Sequence, residues 1–92
     1  MVNPVVAKRI KMARCGADLS RGELADAISA RIGKTISDEL VRRIEVAERD
    51  VELGILTAIA AITGESIDWL QDGPTRPYVK SQRRELALAA GL

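Results

Sequence analysis

The stretch Leu19-Ser20-Arg21-Gly22-Glu23-Leu24-Ala25, LSRGELA, decides the fold. Ser20 followed three residues later by Glu23 is a capping box. The hydroxyl takes a backbone N–H at a helix start, and the carboxylate reaches back to the cap. Leu19 and Leu24 occupy the two positions of a hydrophobic staple. Past them, Ile28 and Ile32 continue the apolar face of Leu24 and Ala25 at helical spacing. Gly33 is a natural C-terminal stop.

Working outward, the same punctuation recurs. Asn3-Pro4 is a helix start, with Pro at the first helical position. Val6, Ile10 and Ala13 follow as its inner face, and Gly16 is expected to end it. Downstream, Ser37 caps a third helix, with Ile36 and Val41 as its staple. Asp38 and Glu39 fill its first turn, where the helix dipole favours negative charge. Leu40, Val41, Ile44 and Ala47 are expected inside, with Glu39, Arg42 and Arg43 outside. Asp50 is expected to cap a fourth helix over 51–63, apolar around most of its circumference and so the most buried. Gly64 stops it, and Ser66 caps a short fifth helix through Leu70 in which Trp69 belongs to the core. Asp72-Gly73-Pro74 closes the domain.

Composition agrees with a small helical bundle. The chain has 92 residues, 47% hydrophobic, with one Trp, one Tyr and no Phe, so Ile, Leu, Val and Ala must build the core. The expected organisation is one all-α domain over 3–73 and a tail over 74–92, linked through Pro74 and Pro77. Residues 80–90 form at most a weak last helix. Cys15 is alone, and no leader or long apolar run is legible, so a reducing cytoplasm and no membrane are expected.

These five short helices and their caps resemble the lambda-repressor, Cro and XRE family of helix-turn-helix proteins. The resemblance is carried by Arg9-Ile10-Lys11, LSRGELA at 19–25, SDELVRRIE at 37–45, and Ser66-Ile67-Asp68-Trp69-Leu70. One departure is clear: residues 29–36 make the connection between helices two and three about six residues longer than the family's. With Ile32 four after Ile28, an extra turn of helix two and a loop at Gly33-Lys34-Thr35 are expected.

The resemblance implies a double-stranded DNA operator as partner, bound by a homodimer. Carried over by position, the base-reading sites fall on Asp38, Glu39, Arg42 and Arg43, and phosphate contacts on Ser20, Arg21, Lys34 and Arg49. The chemistry suits those roles. Arg pairs bidentately with guanine, an acid accepts from cytosine N4, and cations beside helix starts hold phosphates. A plainer account stands beside it: Asp38 with Arg42 and Glu39 with Arg43 are four apart, a spacing at which ion pairs stabilise a solvated helix. Both accounts hold together if Glu39 orients Arg43 toward a base. The resemblance also implies a structural ion pair between Arg9 and Glu45.

Charge alone selects no partner, since the net value is +1. With no His, no Cys cluster and no Gly-rich phosphate loop, no enzyme, metal site or cofactor is expected. The expectation is a phage or bacterial repressor or Cro-like regulator acting by operator occupancy. The alternative is a protein-interaction module on the same fold, an antitoxin-like or anti-repressor partner.

Overall fold

The computed structural model describes residues 3–71. Among them are five α-helices and no strand: α1 (Pro4–Gly16), α2 (Arg21–Ile32), α3 (Asp38–Glu45), α4 (Leu53–Thr63) and α5 (Ile67–Gln71). None is long and apolar enough to cross a membrane. The proposed tail over 74–92 and the closing 72–73 lie outside the described residues.

Four of the five local start signals, at Asn3, Ser20, Ser37 and Ser66, become hydrogen bonds. Asn3 Oδ1 accepts from the Val5 amide at 2.9 Å. Ser20 Oγ accepts from the Glu23 amide at 3.0 Å, while Glu23 Oε1 accepts from the Ser20 amide at 2.9 Å. Those two bonds, the backbone one foremost, hold the Glu23 carboxyl below its usual range. Ser37 Oγ accepts from the Leu40 amide at 3.1 Å, and Ser66 Oγ from the Trp69 amide at 3.1 Å. Leu19 packs half-buried against the core that contains fully buried Leu24, in keeping with the staple.

The stops are less uniform. Gly33 and Gly64 end α2 and α4 in the left-handed conformation that glycine adopts without cost. Gly16 does not end α1 in this way. It stays helical, and the chain turns at Asp18, whose φ is 59°. Asp tolerates that region because its short side chain bonds locally. After α3 the turn falls on Ala47, at φ 62°. Ala47 was expected inside; it is instead the half-buried turn residue, held left-handed at a cost of about 1–2 kcal/mol.

The fourth helix starts later than expected. Its cap is Glu52 rather than Asp50, and Glu52 makes no side-chain capping bond. Val51 packs half-buried against the core outside the helix, Glu52 is extended, and the first turn begins at Leu53. Leu53 is then 65% exposed, at odds with the expectation of a helix buried around most of its circumference. The rest of α4 is as buried as its composition requires: Ile55, Leu56, Ala58, Ile59 and Ala60 all join the core.

That core is aliphatic apart from Trp69. Ile10, Leu24, Ile28, Ile59 and Leu70 are each at most 1% exposed. Burial of a side chain of this size stabilises by about 1.5–3 kcal/mol. α2 packs on α3 and α4, and α1 packs on α5.

The long connection after α2 is held by one side chain. Ser29 Oγ donates to the Ala25 carbonyl at 2.8 Å and accepts from the Ile36 amide at 2.8 Å. This fixes buried Ile36 as the entry to α3. The expected extra turn of α2 is present, ending with half-buried Ile32 against the core and Gly33 beyond it.

Candidate nucleic-acid interface

The orientation of α3 is set at its inner face. Val41 and Ile44 are buried, and so is Glu45, whose side chain has no exposure. Its carboxylate receives Arg14 through Nε at 2.6 Å and Nη2 at 3.1 Å, a fork-on-fork pair. Arg21 Nε adds a third bond at 3.2 Å. Arg14 Nη1 also donates to the Leu19 carbonyl at 2.8 Å. The end of α1, the start of α2 and the end of α3 therefore meet on one buried anion. Hydrogen bonding to Glu45 raises the Arg14 pKa above its ordinary value.

The Arg9–Glu45 pair implied by the resemblance is thus corrected: Glu45 binds Arg14 and Arg21. Arg9 lies five residues earlier in α1, about 7.5 Å along the axis. There it faces α5, donating through Nη1 to the Trp69 carbonyl with its guanidinium 5.3 Å from the indole centroid.

The outer edge of α3 is open. Asp38, Glu39 and Arg43 are exposed, and the Arg42 side chain is 36% exposed. Glu39 stands between the arginines. Its Oε1 accepts from Arg42 Nη2 at 2.7 Å, Arg42 Nε at 3.1 Å and Arg43 Nε at 3.2 Å. The expected Glu39–Arg43 pair is present. The expected Asp38–Arg42 pair is replaced, because Arg42 grips both oxygens of Glu39 and extends Nη2 to Glu48 Oε2 at 3.2 Å. Arg42 first, then Arg43, holds the Glu39 carboxyl at about 2, well below its ordinary 4.5. Glu39 in turn raises the Arg42 pKa.

Arg43 differs from Arg42 in what remains available. Among the described residues its guanidinium bonds only through Nε, its side chain is 55% exposed, and both terminal nitrogens remain uncommitted. Sequence reasoning did not single out Glu48. It lies beyond the helix, where no helical spacing applies, and the left-handed turn at Ala47 brings it back toward Arg42.

The expected phosphate-contacting residues are distributed differently. Ser20 is exposed and engaged in its capping box. Arg21 commits Nε to Glu45 while its side chain remains 36% exposed at the start of α2. Lys34 stands exposed in the connection, 4.0 Å from Glu52. Arg49 is exposed and lines a cavity of about 160 Å³ with Asn3, Val6, Asp50 and Val51. No ion pair or hydrogen bond among the described residues ties Lys34 or Arg49 to the Glu39 cluster. Compared with protein-family models, curated proteins and solved structures, the chain has no match.

Proposed function

We propose that this chain is a sequence-specific double-stranded DNA-binding regulator of the lambda-repressor, Cro and XRE helix-turn-helix kind, acting by operator occupancy. The observation that carries this reading is Arg43: an exposed arginine on α3 whose Nε is braced by Glu39 and whose two terminal nitrogens are uncommitted. A braced guanidinium presenting two parallel donors suits the O6 and N7 acceptors of guanine. α3 has eight residues and so is about 12 Å long, comparable to the width of the major groove. Its N-terminal turn, with Asp38 and Glu39, is the end that leads into the groove. There an acid accepts from cytosine N4 or adenine N6.

Within this proposal the arginines have unequal roles. Arg43 reads a base, and Arg42, held by two carboxylates, braces the reader. Arg21 offers its exposed end to a phosphate at the start of α2, with Ser20 beside it and Lys34 and Arg49 as outlying cations. Two copies bind two half-sites about one DNA turn apart. A phage or bacterial host and a repressor or Cro-like role complete the proposal.

The test is selection of bound duplexes from a random pool at near-physiological salt. A palindromic consensus containing guanine is the expected result. Arg43→Ala should lose that preference, with binding to the selected site weaker by about 1–3 kcal/mol, while Arg42→Ala changes it less. Absence of any enriched sequence overturns the reading.

A second reading is a protein-interaction module on the same fold. It draws on the charge balance of the α3 edge, where Arg42 and Arg43 face Glu39 and Glu48, and on the exposed connection at Gly33, Lys34 and Thr35. One stoichiometric protein partner, together with no duplex retention at low salt, would favour it.

A further inference from the structure

We infer that Glu39 sets the selectivity of the α3 face by cancelling, with Glu48, the charge of its two arginines, so that this helix engages duplex only where base edges answer it. The inference rests on the DNA-binding reading above. Its basis is the four-residue cluster: two guanidiniums, Arg42 and Arg43, are matched by two carboxylates, Glu39 and Glu48, at 2.7–3.2 Å. Binding to arbitrary DNA is driven by cations that replace counterions on phosphates. A neutral face replaces few, and the net charge of +1 on the whole chain adds little.

The cluster treats phosphates and base edges differently. A phosphate approaching Arg42 meets Glu39 and Glu48 already in place, and like charges repel. A guanine edge is uncharged and reaches the terminal nitrogens of Arg43 without displacing Glu39 from its Nε. Glu39 also retains acceptor capacity for an amino group. Its Oε2 accepts one hydrogen bond, from Arg42 Nε at 3.1 Å, whereas Oε1 accepts three. Neutrality therefore opposes backbone contact and leaves base contact unopposed. Asp38, exposed in the same first turn, adds a further negative charge to that end.

The test compares wild type, Glu39→Gln and a charge-matched control, Asp68→Asn, whose residue is exposed on α5. Fluorescence anisotropy is measured on a duplex recovered by selection and on a scrambled duplex of equal composition. Circular dichroism confirms that each variant is folded, as expected for exposed positions. Glu39→Gln should bind the scrambled duplex more tightly, with a salt slope steeper by about 0.9, one phosphate contact. Its advantage over wild type should therefore grow by about 3.5-fold as salt falls from about 200 to about 50 mM. The ratio of selected to scrambled affinity should fall, and Asp68→Asn should track wild type. A wild type that discriminates, with Glu39→Gln unchanged in scrambled affinity and slope, overturns this inference alone. The same steepening in Asp68→Asn also overturns it, since any lost acid would then suffice. A wild type that enriches no sequence overturns the DNA-binding reading, and this inference with it.

Discussion

Glu45→Gln should destabilise the domain severely, and a double-mutant cycle should identify its partner. The substitution keeps the side-chain shape and removes the charge that Arg14 and Arg21 share. Glu45 has no side-chain exposure and Arg14 has 12%, so that pair is buried; Arg21, at 36%, is screened and counts for less. Leaving a buried arginine without its carboxylate costs about 3–5 kcal/mol, and water access through Arg21 favours the lower end, about 3. A domain of about 70 residues has only about 3.5–10 kcal/mol of stability in total. The melting temperature should fall by about 12–24 °C. Urea unfolding followed by fluorescence of Trp69, the one tryptophan and 2% exposed, measures the loss directly. Paired with Arg14→Gln, Glu45→Gln should show a coupling energy above about 1 kcal/mol, because contacting charges are not additive. Paired with Arg9→Gln, the coupling should be within about 0.5 kcal/mol of zero. Coupling to Arg9 larger than coupling to Arg14 would refute the reasoning.

Two further outcomes follow from the geometry. Ser29→Ala removes the acceptor of the Ile36 amide in a half-buried site, so it should cost about 1–3 kcal/mol, and hydrogen exchange at Ile36 should accelerate more than at Leu24. Glu39 is depressed from its ordinary 4.5 to about 2 in the folded chain, so the unfolded state binds its proton first as pH falls. Its contribution is thus complete above about 4.5 and disappears on approach to about 2. Melting temperatures measured from pH 5 to 2 should decline, and Glu39→Gln should flatten that decline. An NMR titration placing the Glu39 midpoint near 4.5 would contradict the Arg42 contacts.

Much of the helical framework was legible because the interactions that make it are local. Ser20 with Glu23, Ser37 with the Leu40 amide and Ser66 with the Trp69 amide span three residues each, so spacing alone specifies them. Apolar periodicity likewise marked Ile10, Leu24, Ile28, Val41 and Ile44 as core. The start of α4 falls later than the capping signal at Asp50 indicates: Val51 lies outside the helix, half-buried against the core, and Glu52 is the cap.

Partner choice is what the one-dimensional order does not contain. Which arginine reaches Glu45 depends on where the end of α1 abuts the start of α2, 31 and 24 residues away along the chain. The brace of Ser29 on Ile36 and the closure of Glu48 onto Arg42 depend on turns at Gly33 and Ala47. Sequence determined the five helices, the caps at Asn3, Ser20, Ser37 and Ser66 and most of the inner faces, since those answer to neighbours within four residues. Only the tertiary structure decided which charges meet, because distance in space is set by how the finished helices pack.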